Sequence, residues 1–165
     1  MKEMTWDNEL ARDAQRWAES CPDDHGHFHQ DRRFHVGQNI GQTFSESQYF
    51  SSSSDFAETI PRWFEEVNQF IFGRSRINRA TGHYTQLVWA DSHLVGCGYA
   101  YFHDQMKGYT KVHVCNYGPA GNVRGRSPYR AGSPTCLDGT VASSEYRGLC
   151  STTDHVARLQ CRRRH

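Results

Sequence analysis

Three histidines stand at alternate positions in the run His25-Gly26-His27-Phe28-His29. Alternate residues of an extended segment share one face, so these imidazoles could chelate a transition metal. The surrounding stretch from Asp23 to Arg33 is polar and suits a loop, in which His27 and His29 are better read as solvated side chains. Hydroxyls form a second set: Ser51 to Ser54 and Ser92 could act as nucleophiles beside a histidine base. None lies in a sequence resembling a nucleophile elbow, which favours a linker role. Cysteines are the third set. Cys21, Cys97, Cys115, Cys136, Cys150 and Cys161 include no CxxC pair, which argues against a zinc ribbon and against a thioredoxin-type redox motif. A disulfide framework fits better, and it implies an oxidising, usually extracellular, compartment.

These groups must be held by elements that the hydrophobic pattern outlines. Leu10, Ala14, Trp17, Ala18 and Cys21 form one apolar stripe and predict a helix over residues 8 to 21, with Asp7 or Asn8 as its N-cap. The stretch His35 to Gly41, with two glycines around Gln38 and Asn39, reads as a turn or strand where the backbone passes close to something. Residues 45 to 54 are serine-rich and read as a loop. Phe56, Ile60, Trp63, Phe64, Val67, Phe70 and Ile71 mark a second amphipathic helix. Asp55-x-x-Glu58 resembles a capping box, and Pro61 suggests a start nearer Thr59, because proline is tolerated in a first turn. Gly82 to Trp89 predicts a short third helix. Val95 to Phe102 and Lys111 to Tyr117 predict an antiparallel hairpin. Beyond residue 123 the chain is irregular and rich in Gly, Arg, Ser and Pro. Helices, then strands, then a tail give an α+β class.

A length of 165 residues accommodates one domain with a real core. Four Trp, eight Tyr and nine Phe supply the large apolar surfaces for it. Lys plus Arg (19) nearly balances Asp plus Glu (18), so no overall field favours nucleic acid or an anionic membrane. The cluster Arg162-Arg163-Arg164-His165 reads as a solvated basic tail. No run of roughly eighteen apolar residues occurs, so no transmembrane segment is predicted. Met1-Lys2-Glu3 does not begin a signal peptide, because no apolar region follows it. If the protein is secreted, this chain is expected to have lost its leader.

Two longer motifs carry a resemblance. Gly82-His83-Tyr84-Thr85-Gln86-Leu87-Val88-Trp89-Ala90-Asp91-Ser92 is similar to the first signature of the CAP superfamily, the cysteine-rich secretory, antigen-five and plant pathogenesis-related proteins. Val112-His113-Val114-Cys115-Asn116-Tyr117-Gly118-Pro119-Ala120-Gly121-Asn122-Val123 resembles the second, with His113 where an apolar residue is usual. Trp6-Asp7-Asn8-Glu9-Leu10-Ala11, Gly37-Gln38-Asn39-Ile40 and Trp63-Phe64-Glu65-Glu66-Val67 follow in family order, closest in flavour to arthropod antigen five. The resemblance implies a three-layer α-β-α sandwich with a central antiparallel sheet over residues 1 to 123, and a hinge-like, cysteine-containing extension over 124 to 165. The family's first helix, which normally precedes Trp6, has no counterpart here, and its loss is expected to expose apolar surface.

The family's cleft usually holds two His and two Glu, and matching motif by motif places them at His25, Gln38, Glu66 and His83. Two neutral imidazoles, His25 and His83, suit weakly bound zinc or another divalent metal. Gln38 replaces a carboxylate by an amide that cannot act as a base, leaving Glu66 alone. The resemblance also implies disulfides Cys97–Cys115 and Cys136–Cys150, with Cys21 either free or paired with Cys161. It implies a secreted, extracellular, monomeric binding module, carrying small lipids or sterols or engaging host or receptor proteins in venom, saliva or defence. The competing reading is a metal-dependent or Ser/His-type endoprotease. A remoter one, ion-channel blockade, resides in relatives largely in a cysteine-rich domain after the hinge.

Overall fold

The computed structural model describes residues 1–25, 30–48, 51–73, 78–137 and 139–152. His27, His29 and Cys161 lie outside the described residues, so the three-histidine chelate and the pairing of Cys21 with Cys161 do too. Strand β1 (Thr5–Trp6) leads into helix α1 (Asn8–Glu19); after the short strands β2 (Gln30–Asp31) and β3 (Phe34–His35) comes β4 (Gly37–Ser45). Helix α2 (Phe56–Glu65) runs on as a 3-10 turn (Glu66–Gln69), followed by α3 (Gly82–Leu87) and the long hairpin β5 (Leu94–Asp104) and β6 (Gly108–Gly118). Strands β7 (Thr140–Ala142) and β8 (Cys150–Thr152) belong to the extension. The main sheet has the order β1-β5-β6-β4. It is antiparallel except for β1, a strand absent from the hydrophobic pattern, which pairs parallel to β5.

Side-chain alternation along β6 decides the layers. Val112 and Val114 are fully buried on one face against Ala14 and Ala18 of α1, with Ile40 beside them. Cys115 and Tyr117 face the other way, against Trp63 of α2. Helices therefore cover both faces, the three-layer sandwich expected. Each buried valine is worth about 1.5–3 kcal/mol relative to exposure. Helix α1 lies almost on the backbone of β5, because a Cβ at Gly98 would sit 2.2 Å from the amide nitrogen of Gln15. Gln15 exploits that approach: its amide accepts from Tyr99 N (2.9 Å) and donates to Tyr99 O (2.9 Å).

The Asp7 carboxylate caps α1, accepting from the amides of Glu9 (3.0 Å) and Leu10 (2.9 Å). Arg33 binds both Asp7 and Asp31, tying the 30–35 segment to that helix start and holding both carboxyls below their usual range. Asp55 precedes α2 as expected, yet its side chain makes no capping hydrogen bond. It is bonded instead to Nζ of Lys111, which is 2% exposed; a buried ammonium takes the counter-charge that the capping box would have used. Helix α2 begins at Phe56, so Pro61 lies inside it rather than in its first turn. The amide that proline lacks would have met the carbonyl of Ala57, an exposed residue, and the helix continues past it.

The extension returns to the body of the molecule. Pro128 O accepts from Ala90 N (2.8 Å), Cys150 N donates to Met1 O (2.9 Å), and Glu3 N donates to Cys150 O (2.9 Å). The disulfides Cys97–Cys115 and Cys136–Cys150 are both formed, with Cα atoms 4.1 Å and 5.7 Å apart. Cys21 is exposed and unbridged among the described residues. Outward-facing apolar side chains gather along and after α2, at Ile60, Phe64, Ile71 and Phe72. No described helix is long and apolar enough to cross a membrane.

Candidate functional site

Glu66 opens the 3-10 turn that follows α2, and there its carboxylate meets the start of α3. Oε2 accepts from the backbone amides of His83 (2.9 Å) and Tyr84 (3.0 Å), while Oε1 lies 2.7 Å from Nδ1 of His83. Thr81, which precedes α3, supplies no side-chain cap, so Glu66 satisfies amides that would otherwise be orphaned. The Nδ1–H···carboxylate bond selects the tautomer with a lone pair on Nε2. Trp63 stacks on the imidazole with centroids 5.7 Å apart. The His83 side chain remains 30% exposed. A carboxylate-oriented imidazole of this kind can bind a divalent cation or exchange a proton.

Of the four residues expected at this site, the structure brings Glu66 and His83 together. His25 sits exposed on the loop after α1. Gln38 lies elsewhere: it pairs with Asn116 across β4 and β6, donates to Asn116 Oδ1 (3.0 Å), and shares the α1 face with Ile40. Its neighbour Asn39 points to the opposite face and reaches the site, donating to His83 O (3.1 Å) and contacting Tyr117 Oη (3.3 Å). Gln38 and Asn39 thus serve different layers, because successive strand residues face opposite ways. Asn39 and Trp63 were missed as site residues. The signal was present in the apolar Ile40, two residues after Gln38 and hence on its face. Among the described residues no group of three or more His, Cys, Asp or Glu is arranged to hold a metal ion.

The remaining signature residues act as pins. Gln86 accepts from Gly121 N (2.9 Å) and donates to Ser92 Oγ (3.3 Å); Ser92, fully buried, donates to Pro119 O (2.7 Å). Thr85 donates to Asn122 Oδ1 (2.6 Å), and Asn122 donates to Gly82 O (2.9 Å). The second signature is thereby bolted to α3, which fixes the start of α3 and with it His83. Tyr84, buried and bonded to Tyr129 Oη (3.3 Å), has its phenol pushed well above the ordinary range, chiefly by burial.

Helices on both faces of this sheet, two bolted signature segments and a Glu-oriented histidine define a CAP-type domain. The family model for the cysteine-rich secretory protein family, CAP, matches residues 1–117, and the chain belongs to that family. It is 35% identical over 163 residues to salivary antigen-5 of Triatoma infestans, covering 91% of this chain and 64% of the relative. Human cysteine-rich secretory protein 3 is 40% identical over 164 residues, covering 92% and 63%. The chain thus spans less than two thirds of the length of either. Among solved structures it resembles Na-ASP-1 (TM-score 0.74, 30% identity, 92% of this chain and 38% of that one). It also resembles NaASP2 crystallised with Zn2+ (TM-score 0.68, 28% identity, 92% and 77%).

Proposed function

We propose that this chain is an extracellular recognition module, carrying small lipids or sterols and engaging protein partners through its loops, and that it does not hydrolyse peptides. The observation that carries the reading is the use made of Glu66. Both of its oxygens are engaged, by two backbone amides and by His83 Nδ1, so it is a structural orienter rather than a free base. Ser92, in the same signature run as His83, is buried and donates to a backbone carbonyl, which leaves it no role as an activated nucleophile. Two disulfides and relatives named for saliva and venom support an extracellular setting.

His83, with His25 as second ligand and water completing the shell, is a weak zinc site in this proposal; a hydrolytic zinc normally has three protein ligands. Support comes from the relative solved with Zn2+ and from the Glu66 contact that orients the imidazole. The test is native mass spectrometry of protein secreted from a eukaryotic host, beside calorimetric zinc titration and digestion of a peptide library. Bound lipid and weak zinc without cleavage are the expected results. Peptide turnover that disappears in His83→Ala would overturn the reading in favour of a metallopeptidase.

A further inference from the structure

We infer that the disulfide-closed arch of the extension forms a second ligand site, distinct from His83 and Glu66, for a single-chain amphiphile with an anionic head. The inference rests on the recognition reading above and gives it a ligand class and a place. The arch leaves the body at Ala90, whose amide donates to Pro128 O, and returns through Cys150, whose amide donates to Met1 O. The Cys136–Cys150 bridge closes it. Beneath it lies a cavity of about 820 Å³, within the roughly 300–1,000 Å³ range of small-molecule pockets.

Charge and apolar surface in this cavity are unevenly matched. Its charged lining residues are Lys2, Arg126, Arg130 and Asp91. Arg126 is bonded to the Asp91 carboxylate (2.6 Å), which neutralises the one acid. Lys2 and Arg130 form no ion pair among the described residues, so the cavity carries two uncompensated cations. Its apolar wall includes Leu137, which is 68% exposed although it stands inside the arch. Two cations favour an anion, and an uncovered leucine favours a hydrocarbon tail. Arg126, held over the face of Trp89 at 5.9 Å, keeps that side of the wall in place.

The probes are decanoate, decanol and acetate, titrated calorimetrically into the full chain; decyl phosphate then separates a fatty-acid source from a phospholipid-like one. Decanoate should bind more tightly than decanol or acetate, since only it supplies both charge and tail. Lys2→Gln and Arg130→Gln should each weaken it by about tenfold, the loss expected for one charge-assisted contact. Phe64→Ser, on the outer face of α2, should leave affinity unchanged. Near-ultraviolet circular dichroism reports whether each variant keeps its fold. Equal affinity for decanol and decanoate, or loss of binding in Phe64→Ser with none in the two cation variants, overturns the site. Peptide turnover by a protein that binds decanoate at Lys2 and Arg130 would overturn the recognition reading alone.

Discussion

Glu66 joins three functions that a sequence reading would separate: it caps α3, fixes the tautomer of His83 and stands beside the ring that Trp63 supports. Replacing it by alanine leaves two amides and an imidazole N–H without their acceptor. Unfolding free energy in urea should fall by about 1–3 kcal/mol, and zinc affinity by about 10–100-fold, as for other carboxylates behind a ligating histidine. Unchanged zinc affinity in a folded Glu66→Ala protein would place the metal elsewhere. His113 is a different case. It is 1% exposed, its Nε2 faces Ser54 O, its Nδ1 makes no geometrically good hydrogen bond among the described residues, and Gly41, Tyr99, Phe56, Asp55 and Lys111 surround it. Burial lowers its pKa below the ordinary 6.5. The unfolded chain therefore takes up this proton first as pH falls, so stability is complete above 6.5 and declines below it. The urea midpoint should drop from pH 7 to pH 5, and His113→Leu should flatten that drop. Asp55, lowered chiefly by its Lys111 bond, acts in another window, with stability lost as pH falls below its ordinary 3.8.

At the scale of elements, the seat of α1 on β5 depends on the absence of two Cβ atoms. At Gly96 a Cβ would lie 2.1 Å from Ala11 N, and at Gly98 2.2 Å from Gln15 N, in each case against backbone that cannot rotate away. Gly98→Ala should therefore destabilise by about 1–3 kcal/mol or more, whereas Gly82→Ala, with nothing within 4 Å of the new atom, should be close to neutral. Chemical denaturation of the two variants side by side is the measurement. A harmless Gly98→Ala would mean that α1 sits further from the sheet. Such contacts explain why the elements were easier to read than their bounds. The stripe of α1 and the alternation of β5 and β6 are local patterns, visible in any short window. Strand β1 has two residues and exists because β5 offers an open edge; Asp55 abandons its cap because Lys111, distant in sequence, arrives beside it.

For the whole molecule, the Cys136–Cys150 bridge holds the extension to the amino-terminal segment. Its sequence separation is 14, and closing a loop of that size is worth about 3 kcal/mol in the chain-entropy view. Cys136→Ser with Cys150→Ser should lower stability by about that amount and open residues 126–137 to limited proteolysis, followed by mass spectrometry. An unchanged cleavage pattern would show that the pairings of Cys150 with Met1 and Glu3 suffice to hold the arch. Loss of decanoate binding in the same variant would connect the bridge to the cavity it closes.

The sequence by itself determined the family, the layer order and both disulfides, because signature runs such as Gly82 to Ser92 specify a local backbone and its buried pins together. It also named Glu66 and His83 among four expected cleft residues, with His25 and Gln38. Only the tertiary structure decided that Asn39 bonds the His83 carbonyl while Gln38 bonds Asn116. A strand presents its residues alternately to two faces, and which face meets α2 and α3 is settled by where Trp63 and Ile40 find cover. The cavity of the extension was equally invisible in the sequence, since its walls come from Lys2, Ala90, Arg130 and Cys150, brought together by backbone pairing across nearly the whole chain.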